Sequence, residues 1–252
     1  MGESSVICDG GLEYACVSEV GGRLQNQDRF LVLSDSEKAI YLFAVADGMG
    51  GHRAGGEAAE AAVSALRGHW AEVHRQPNLQ DWIRSLFRHA HRSVQDLAIS
   101  GERAAPQTTL ALLLFAGGEV WSGHVGDSRV IHYSRSGLKG RTRDHSVTEV
   151  KLAAGKISEQ EAAVDRDRNL LTMALGGARE PEPDITRWRM AQGDIFCLAS
   201  DGAWALLSDG DFVGFTTAGD LQQAADQVMG LQLSRAPAGQ DNATIVVVRR
   251  PQ

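Results

Sequence analysis

Cysteine is scarce in this sequence, and the cysteines that are present form no recognisable pattern. Cys8, Cys16 and Cys197 are odd in number and include no C-x-x-C pair. Their spacing therefore predicts neither a disulfide framework nor a structural zinc site. Cys197 lies within an apolar run, where a buried and unreactive thiol is expected.

Basic residues are in the minority. The 252 residues include 25 Lys and Arg against 32 Asp and Glu, which gives a formal net charge of -7. This balance lacks the positive footprint that nucleic acid or an anionic membrane surface attracts, so we expect neither as a partner. An acidic chain does fit a protein that binds cations.

Long apolar runs are also missing. No segment approaches the roughly 18 apolar residues that a membrane-spanning helix needs, and the first residues lack the basic and apolar regions of a signal peptide. We therefore predict a cytoplasmic protein without a membrane partner. Repeats, low-complexity tracts and an evident linker are lacking too, which favours one domain over residues 1–252.

Apolar runs of strand length are spread over the whole chain. They occupy residues 13–20, 30–33, 40–46, 109–115, 119–125, 129–133, 185–190, 194–199 and 243–248. Helical periodicity predicts consecutive helices at 55–73 and 79–97 and a third at 221–233, with Asn78 and Asp220 as N-terminal caps. This order favours an α+β fold of largely antiparallel sheets covered by helices over a doubly wound α/β fold.

The stretch from residue 141 to 171 is highly charged and differs from the rest of the chain. A helical patch is predicted at 145–153. The whole stretch fits either a solvated helix and loop or a mobile flap, at about 143–170, beside an active site.

Four aspartates lie where apolar runs stop. They are Asp28, Asp47, Asp201 and Asp241. Aspartate is a poor strand former and a hard-oxygen ligand, so several of them at strand ends can converge on a divalent cation, although each alone is more often a cap or turn former. Asp47 stands out because the glycine-rich residues 48–51 follow it and can offer a carbonyl oxygen to a cation.

Oxygen ligands without His or Cys select Mg²⁺ or Mn²⁺ over zinc or copper. Two such ions roughly 3.5 to 4 Å apart can share Asp47, activate a bridging water and stabilise in-line displacement at phosphorus. Arg23, five residues before Asp28, offers the planar fork that a phosphate group needs. These residues point to hydrolysis of a phosphate ester.

Seven short strings occur in one order between about residues 13 and 249. They are RLQNQD (23–28), VADGMGGH (45–52), TTLALLLF (108–115), HVGDSRV (124–130), DHSV (144–147), LASDGAW (198–204) and QDNATIVVV (240–248). In these strings the chain resembles the PPM family, the metal-dependent type 2C serine/threonine protein phosphatases, and its compact bacterial branch. The resemblance implies a four-layer α/β/β/α sandwich of two antiparallel sheets flanked by antiparallel helix pairs, with a flap beside the metal site.

The resemblance also implies a set of ligands for two core ions, Mn²⁺ or Mg²⁺. Asp47 would bridge the two ions, the Gly48 carbonyl would bind one of them, and Asp201 and Asp241 would complete the other site. Asp28 would act chiefly through a metal-bound water.

Two further roles follow from the resemblance. Arg23 would hold the substrate phosphate, and Asp127 would bind a third, weaker ion together with Asp201. Considered without the resemblance, Asp127 is a turn residue in a hairpin between strands 119–125 and 129–133.

The sequence departs from the family pattern at three positions. Gln27 stands where many relatives have Glu, Gln107 where Gly is usual, and Met49 where eukaryotic members have the His proposed as general acid. His52 is the nearest candidate proton donor in its place, although a His in a glycine-rich turn is more often structural. His145 and a metal-bound water are further candidates for this role.

The implied function is hydrolysis of phosphoserine and phosphothreonine in proteins by attack of a metal-bridging water. No thiol lies in a phosphate-cradling loop, so a cysteine nucleophile is unsupported. By family analogy, a Hanks-type serine/threonine kinase and its substrates would be the partners. Two different functions also fit the sequence: a catalytically impaired module that binds phosphoproteins, and a phosphatase of anti-sigma antagonists.

Overall fold

The computed structural model describes residues 6–8, 11–50, 54–97, 105–236 and 239–251. The strands are β1 (Val6–Cys8), β2 (Leu12–Glu19), β3 (Asp28–Asp35), β4 (Ile40–Met49), β5 (Gln107–Thr108), β6 (Leu110–Ala116), β7 (Glu119–Val125), β8 (Arg129–Ser134), β9 (Gly137–Arg141), β10 (Asp184–Trp188), β11 (Ile195–Ala199) and β12 (Ala243–Arg249). The α-helices are α1 (Ala54–His69), α2 (Leu79–Gln95), α3 (Val147–Ala153), α4 (Glu159–Ala162), α5 (Asp201–Trp204), α6 (Asp209–Val213) and α7 (Leu221–Arg235). Short 3-10 turns occupy Ser36–Lys38, Trp70–Arg75 and Gly214–Thr216.

The strands form two antiparallel sheets. In the first sheet the order is β1-β2-β12-β11-β8-β9, and in the second it is β10-β7-β6-β4-β3, with β5 paired to β4. Neighbouring strands in both sheets run in opposite directions. The prediction of an antiparallel α+β fold is confirmed.

Side chains alternate between the two faces of each strand, and this alternation sorts the core into three layers. Along β4, Phe43 and Val45 pack between the sheets, whereas Leu42 and Ala44 pack against α1 and α2. On the outer face of the first sheet, Ile245 and Val247 of β12 pack in a cluster that includes residues of α5, α6 and α7. Two helical layers therefore enclose two sheets.

The long helices begin where the sequence places them. Asn78 caps α2 by accepting hydrogen bonds from the Gln80 and Asp81 backbone amides, and Asp220 caps α7 through the Gln223 amide. The predicted helix at 55–73 divides into α1 and a 3-10 turn at Trp70–Arg75. Helices α1 and α2 pack against each other, as two consecutive helices joined by a short turn do.

The prediction of a hairpin around Asp127 is wrong. β7 belongs to the second sheet and β8 to the first, so residues 126–128 cross from one sheet to the other. Gly126 turns the chain with a φ of 99°, a conformation that a side chain would strain. The indole Nε1 of Trp204 then donates a 3.0 Å hydrogen bond to the Asp127 carbonyl. Asp127 thus lies in the segment that connects the two sheets.

Candidate metal centre

Asp28 and Asp47 are direct cross-strand neighbours at one end of the β3–β4 ladder. Phe30 and Val45, each two residues away along its strand, pack between the sheets. Because alternate residues share a face, both carboxylates are directed between the sheets as well. Asp28 is 2% exposed.

Asp201 and Asp241 approach the same end of the sandwich from the first sheet. Asp201 opens α5 directly after β11, and Asp241 lies two residues before β12. The Ser200 amide donates to the Thr244 carbonyl at 3.0 Å, and the Thr244 amide donates to Ser200 Oγ at 2.9 Å. These bonds hold the two chain segments side by side.

Two hydrogen bonds join the sheets at this end. The Ser200 hydroxyl donates to Asp28 Oδ2 at 2.7 Å, and the Gln27 amide donates to Asn242 Oδ1 at 2.9 Å. Asn242 is itself fixed, because its Nδ2 donates to the carbonyls of Val20 and Gln25. The acidic residues are therefore held by a polar frame drawn from both sheets.

The pKa values of the clustered carboxylates are raised, chiefly by burial and further by the neighbouring carboxylates. Burial, opposed by hydrogen bonds and reinforced by neighbouring carboxylates, raises the pKa of Asp28 to about 6. Burial and the Asp201 carboxylate raise the pKa of Asp127 to about 8, and burial with the nearby carboxylates raises that of Asp47 well above its ordinary value. The pKa of Asp201 is also raised, by burial and by Asp241. Bound cations would offset this repulsion and favour the ionised form of the carboxylates.

The donor set fits hard divalent cations. Within the part of the chain that the structure describes, Asp28 Oδ1 and Asp201 Oδ1 are buried and accept no hydrogen bond. A buried oxygen without a partner is costly, and a cation would satisfy it. Among these described residues, no three of the aspartates bring carboxylate oxygens within 4.8 Å of one another.

Gly48 lies where the backbone passes close to helix α1. A Cβ on Gly48 would stand 1.9 Å from the Gly55 carbonyl oxygen, and a Cβ on Gly55 would stand 2.6 Å from the Gly48 carbonyl oxygen. Only glycine fits at both positions. The Asp47 carbonyl is engaged by Thr108 Oγ1 and the Thr109 amide, each at 2.9 Å, which fixes the strand end.

Arg23 lies at the rim of the carboxylate cluster. Its Nη2 donates to Asp241 Oδ2 at 2.7 Å, and the two side chains are 54% and 45% exposed. The Gly22 amide anchors this loop by donating to the Gln240 carbonyl at 2.9 Å. The guanidinium is thus half-exposed beside the site, where an anion from solution can reach it.

A cavity of about 550 Å³ joins Arg23 and the acidic residues to the segment predicted as a flap. Asp127, Asp201 and Asp241 line it together with residues of α3 and α4. Arg129 forms part of its wall, with two hydrogen bonds to Asp144 of 2.8 and 2.7 Å and its guanidinium 3.3 Å from the Trp204 ring centre.

The flap segment is tied at its base and in its middle. Ser146 and Leu171 form an isolated β-bridge, and Ser146 also caps α3. Lys151 Nζ donates to both oxygens of Asp165, at 3.0 and 2.8 Å, and to Asp167 at 2.7 Å. The predicted helical patch is present, although His145 precedes the helix.

The sequence identified the acidic residues as candidate ligands but did not identify the groups that hydrogen-bond to them. Ser200 and Asn242 stand next to predicted ligands in the quoted strings, and this adjacency was the available signal. Of the proposed proton donors, His52 lies outside the described residues. His145 is buried, and its Nδ1 accepts a 3.2 Å hydrogen bond from the Gly126 amide.

A family model described as protein phosphatase 2C matches residues 18–235. The chain belongs to the protein phosphatase 2C family. The serine/threonine phosphatase stp of Listeria welshimeri is 30% identical over 233 residues, which cover 90% of this chain and 91% of that relative. The family assignment therefore rests on nearly the whole chain.

Solved structures of phosphatases match the fold. The Streptococcus agalactiae serine/threonine phosphatase superposes with a TM-score of 0.85 and 29% identity, covering 94% of this chain and 99% of the other. The catalytic domain of PstP in complex with 2 manganese ions gives a TM-score of 0.80 and 29% identity, covering 96% and 99%. This chain is accordingly a metal-dependent protein serine/threonine phosphatase of the 2C family. Its described helices include none long and apolar enough to cross a membrane.

Proposed function

We propose that this phosphatase hydrolyses phosphoserine and phosphothreonine in cytoplasmic proteins with two Mn²⁺ or Mg²⁺ ions, and that a third ion binds more weakly. Asp47, Gly48, Asp201 and Asp241 would hold the two core ions, and Asp127 with Asp201 the third. The observation that carries the proposal is the set of buried carboxylates, drawn from both sheets and mutually repelling, beside the half-exposed Arg23.

The ions, when bound, would lower the pKa of water and polarise the phosphoryl oxygens. Arg23 binds the substrate phosphate by exchanging its contact with Asp241 for phosphate oxygens. Asp28 keeps Oδ2 on the Ser200 hydroxyl, so Oδ1 is the oxygen left to orient a water molecule. The departing serine or threonine alkoxide needs a proton, and we assign its donation to His52.

The substrate proteins proposed here are those phosphorylated by a bacterial Hanks-type kinase, together with that kinase. The cavity beneath the flap segment supports a protein substrate because it extends from Arg23 to Arg168 and Asn169. A phosphorylated side chain with several flanking residues can occupy such a volume.

The test measures hydrolysis of para-nitrophenyl phosphate and of a phosphothreonine peptide with Mn²⁺, with EDTA, and after Asp201→Asn. We expect EDTA to abolish activity and Asp201→Asn to lower kcat/KM by at least about a hundredfold, because removing charge from a metal ligand weakens the site. Asp226→Asn, on the exposed face of α7, is the matched control.

Two outcomes count against the proposal. Full activity in EDTA or in Asp201→Asn would exclude a metal mechanism at this site. A parent protein that binds the phosphopeptide but hydrolyses it with neither Mn²⁺ nor Mg²⁺ would instead be a phosphoprotein-binding module.

A further inference from the structure

His124, His145 and Asp184 meet at the edge of the second sheet, apart from the five aspartates. Asp184 opens the edge strand β10 and is the direct cross-strand partner of His124 in β7. His145 follows β9, and its ring stacks on that of His124 with centroids 4.5 Å apart and planes 17° apart. One potential ligand atom from each residue lies within 4.8 Å of the other two.

His124 is prepared to bind a cation through Nδ1. Its Nε2 lies 2.7 Å from the Arg143 carbonyl oxygen. That oxygen can only accept a hydrogen bond, so Nε2 carries the proton and the lone pair of the neutral ring is on Nδ1. Nδ1 is buried and has no hydrogen-bond partner within the described ranges. A histidine whose second nitrogen donates to a carbonyl is the usual arrangement around a metal. Burial also lowers the pKa of His124 and favours the neutral ring.

His145 and Asp184 supply the other two ligand atoms for the cation. His145 is 8% exposed, and its Nε2 likewise lacks a hydrogen-bond partner among the residues described, although it lies 3.3 Å from Asp184 Oδ2. The Asp184 side chain is 64% exposed. A cation can therefore reach the buried imidazoles from solvent along the edge strand.

We propose that His124 Nδ1, His145 Nε2 and an Asp184 oxygen form a second metal site, which takes Zn²⁺ or a similar first-row transition ion. Two imidazoles and one carboxylate suit such an ion, whereas the all-oxygen aspartate centre suits Mn²⁺ or Mg²⁺. Three protein ligands leave a fourth position for water. The site is thus chemically distinct from the catalytic centre.

This site is coupled to Asp127 through one hydrogen bond. Without a metal, the Gly126 amide donates to His145 Nδ1, so the proton of the neutral ring is on Nε2. Coordination through Nε2 moves that proton to Nδ1, where it faces the Gly126 N–H, and two donors cannot share a hydrogen bond. Gly126 must then shift, and Asp127 follows it in the chain. Zn²⁺ binding therefore lowers phosphatase activity, a consequence that rests on the proposed role of Asp127.

The experiment first measures binding and does not depend on activity. Co²⁺, which gives visible absorption in a tetrahedral site with imidazole ligands, is added to the Mn²⁺-loaded protein, and Zn²⁺ is then titrated to displace it. We expect one such site per chain. Asp184→Asn should weaken Zn²⁺ binding by at least about tenfold, since it removes a charged ligand. Glu182→Gln, two residues away and 70% exposed, is the matched control and should leave binding unchanged.

The second measurement follows phosphopeptide turnover in Mn²⁺ as Zn²⁺ is increased. We expect Asp184→Asn to raise the Zn²⁺ concentration for half-inhibition by the same factor as the dissociation constant, with unchanged turnover in Mn²⁺ alone. Equal Zn²⁺ binding and inhibition in both proteins, with release of Mn²⁺, would overturn the proposal and place Zn²⁺ in the aspartate centre. Zn²⁺ binding lost in Asp184→Asn but without inhibition of the parent would overturn the coupling. A parent inactive in Mn²⁺ that still gives the Co²⁺ spectrum would contradict the proposed function alone.

Discussion

The Ser200 hydroxyl donates a 2.7 Å hydrogen bond to Asp28 Oδ2 across the space between the two sheets. The same oxygen of Ser200 accepts a hydrogen bond from the Thr244 amide, so the hydroxyl acts both as a donor and as an acceptor. Ser200 is fully buried. The Ser200 side chain, which follows a strand of the first sheet, thereby positions the Asp28 carboxylate of the second sheet.

Ser200→Ala should weaken both the fold and the metal centre. It leaves Asp28 Oδ2 and the Thr244 N–H unpaired in a buried place, which costs about 2 to 3 kcal/mol of unfolding free energy. The lost hydrogen bond also raises the pKa of Asp28 further, so Mn²⁺ binding should weaken. Urea unfolding and Mn²⁺ titration test this. Ser234→Ala, which removes an exposed hydroxyl in α7, is the control, and equal effects of the two substitutions would refute the assigned role.

The metal-free protein should lose stability as the pH rises from 6.5 to 8.5. The folded pKa of Asp127, about 8, lies above the unfolded value near 3.9, so the folded state binds a proton that the unfolded state releases. That contribution is present at low pH and is lost as the pH passes the folded pKa, by roughly 1 to 2 kcal/mol for Asp127. The window begins at 6.5 because buried histidines with lowered pKa, such as His124 and His132, have the opposite effect below it: the unfolded chain binds protons that the folded state does not.

Urea unfolding in EDTA at several pH values tests this expectation. Asp127→Asn should flatten the decline, because the amide does not titrate. Mn²⁺ should oppose the decline, because it favours the ionised carboxylates. A metal-free protein that becomes more stable across this window would contradict the raised pKa values.

Arg23→Lys should lower kcat/KM for a phosphopeptide by about tenfold or more, since an ammonium group cannot reproduce the planar two-point contact with phosphate. The fall should exceed any loss of Mn²⁺ affinity, because Arg23 touches only one proposed ligand, Asp241. Arg84→Lys, in an exposed ion pair with Glu182, is the control. Steady-state kinetics at saturating Mn²⁺ decide the point, and unchanged kcat/KM would remove Arg23 from phosphate binding.

Lys151→Met should loosen the flap segment by releasing Asp165 and Asp167. We expect faster hydrogen exchange at residues 154–167 and a change in phosphopeptide turnover larger than the change in para-nitrophenyl phosphate turnover, because only the longer substrate extends under the segment. Lys38→Met, which removes an exposed partner of Asp35, is the matched control. Equal changes for both substrates would argue that the segment has no part in substrate choice.

The sequence patterns predicted what depends on neighbouring residues along the chain. Alternation located most strands, and Asn78 marked the start of α2, because capping and burial act over a few residues. Patterns could not show which strands pair. For this reason the chain around Asp127 was predicted as a hairpin, and the pairing of His124 with Asp184 was not foreseen. The Ser200 to Asp28 contact joins residues far apart in sequence, and only the stacking of the sheets creates it.

The polar frame at the catalytic end joins two sheets that meet through apolar side chains along their shared core. The carboxylates that the two sheets bring together at this end repel one another. Each of the proposed ions would therefore hold the two sheets together. Under the proposed function, divalent cations bound by carboxylates of both sheets stabilise the folded protein as well as support catalysis. Depletion of manganese or magnesium would then lower the stability of this phosphatase together with its activity.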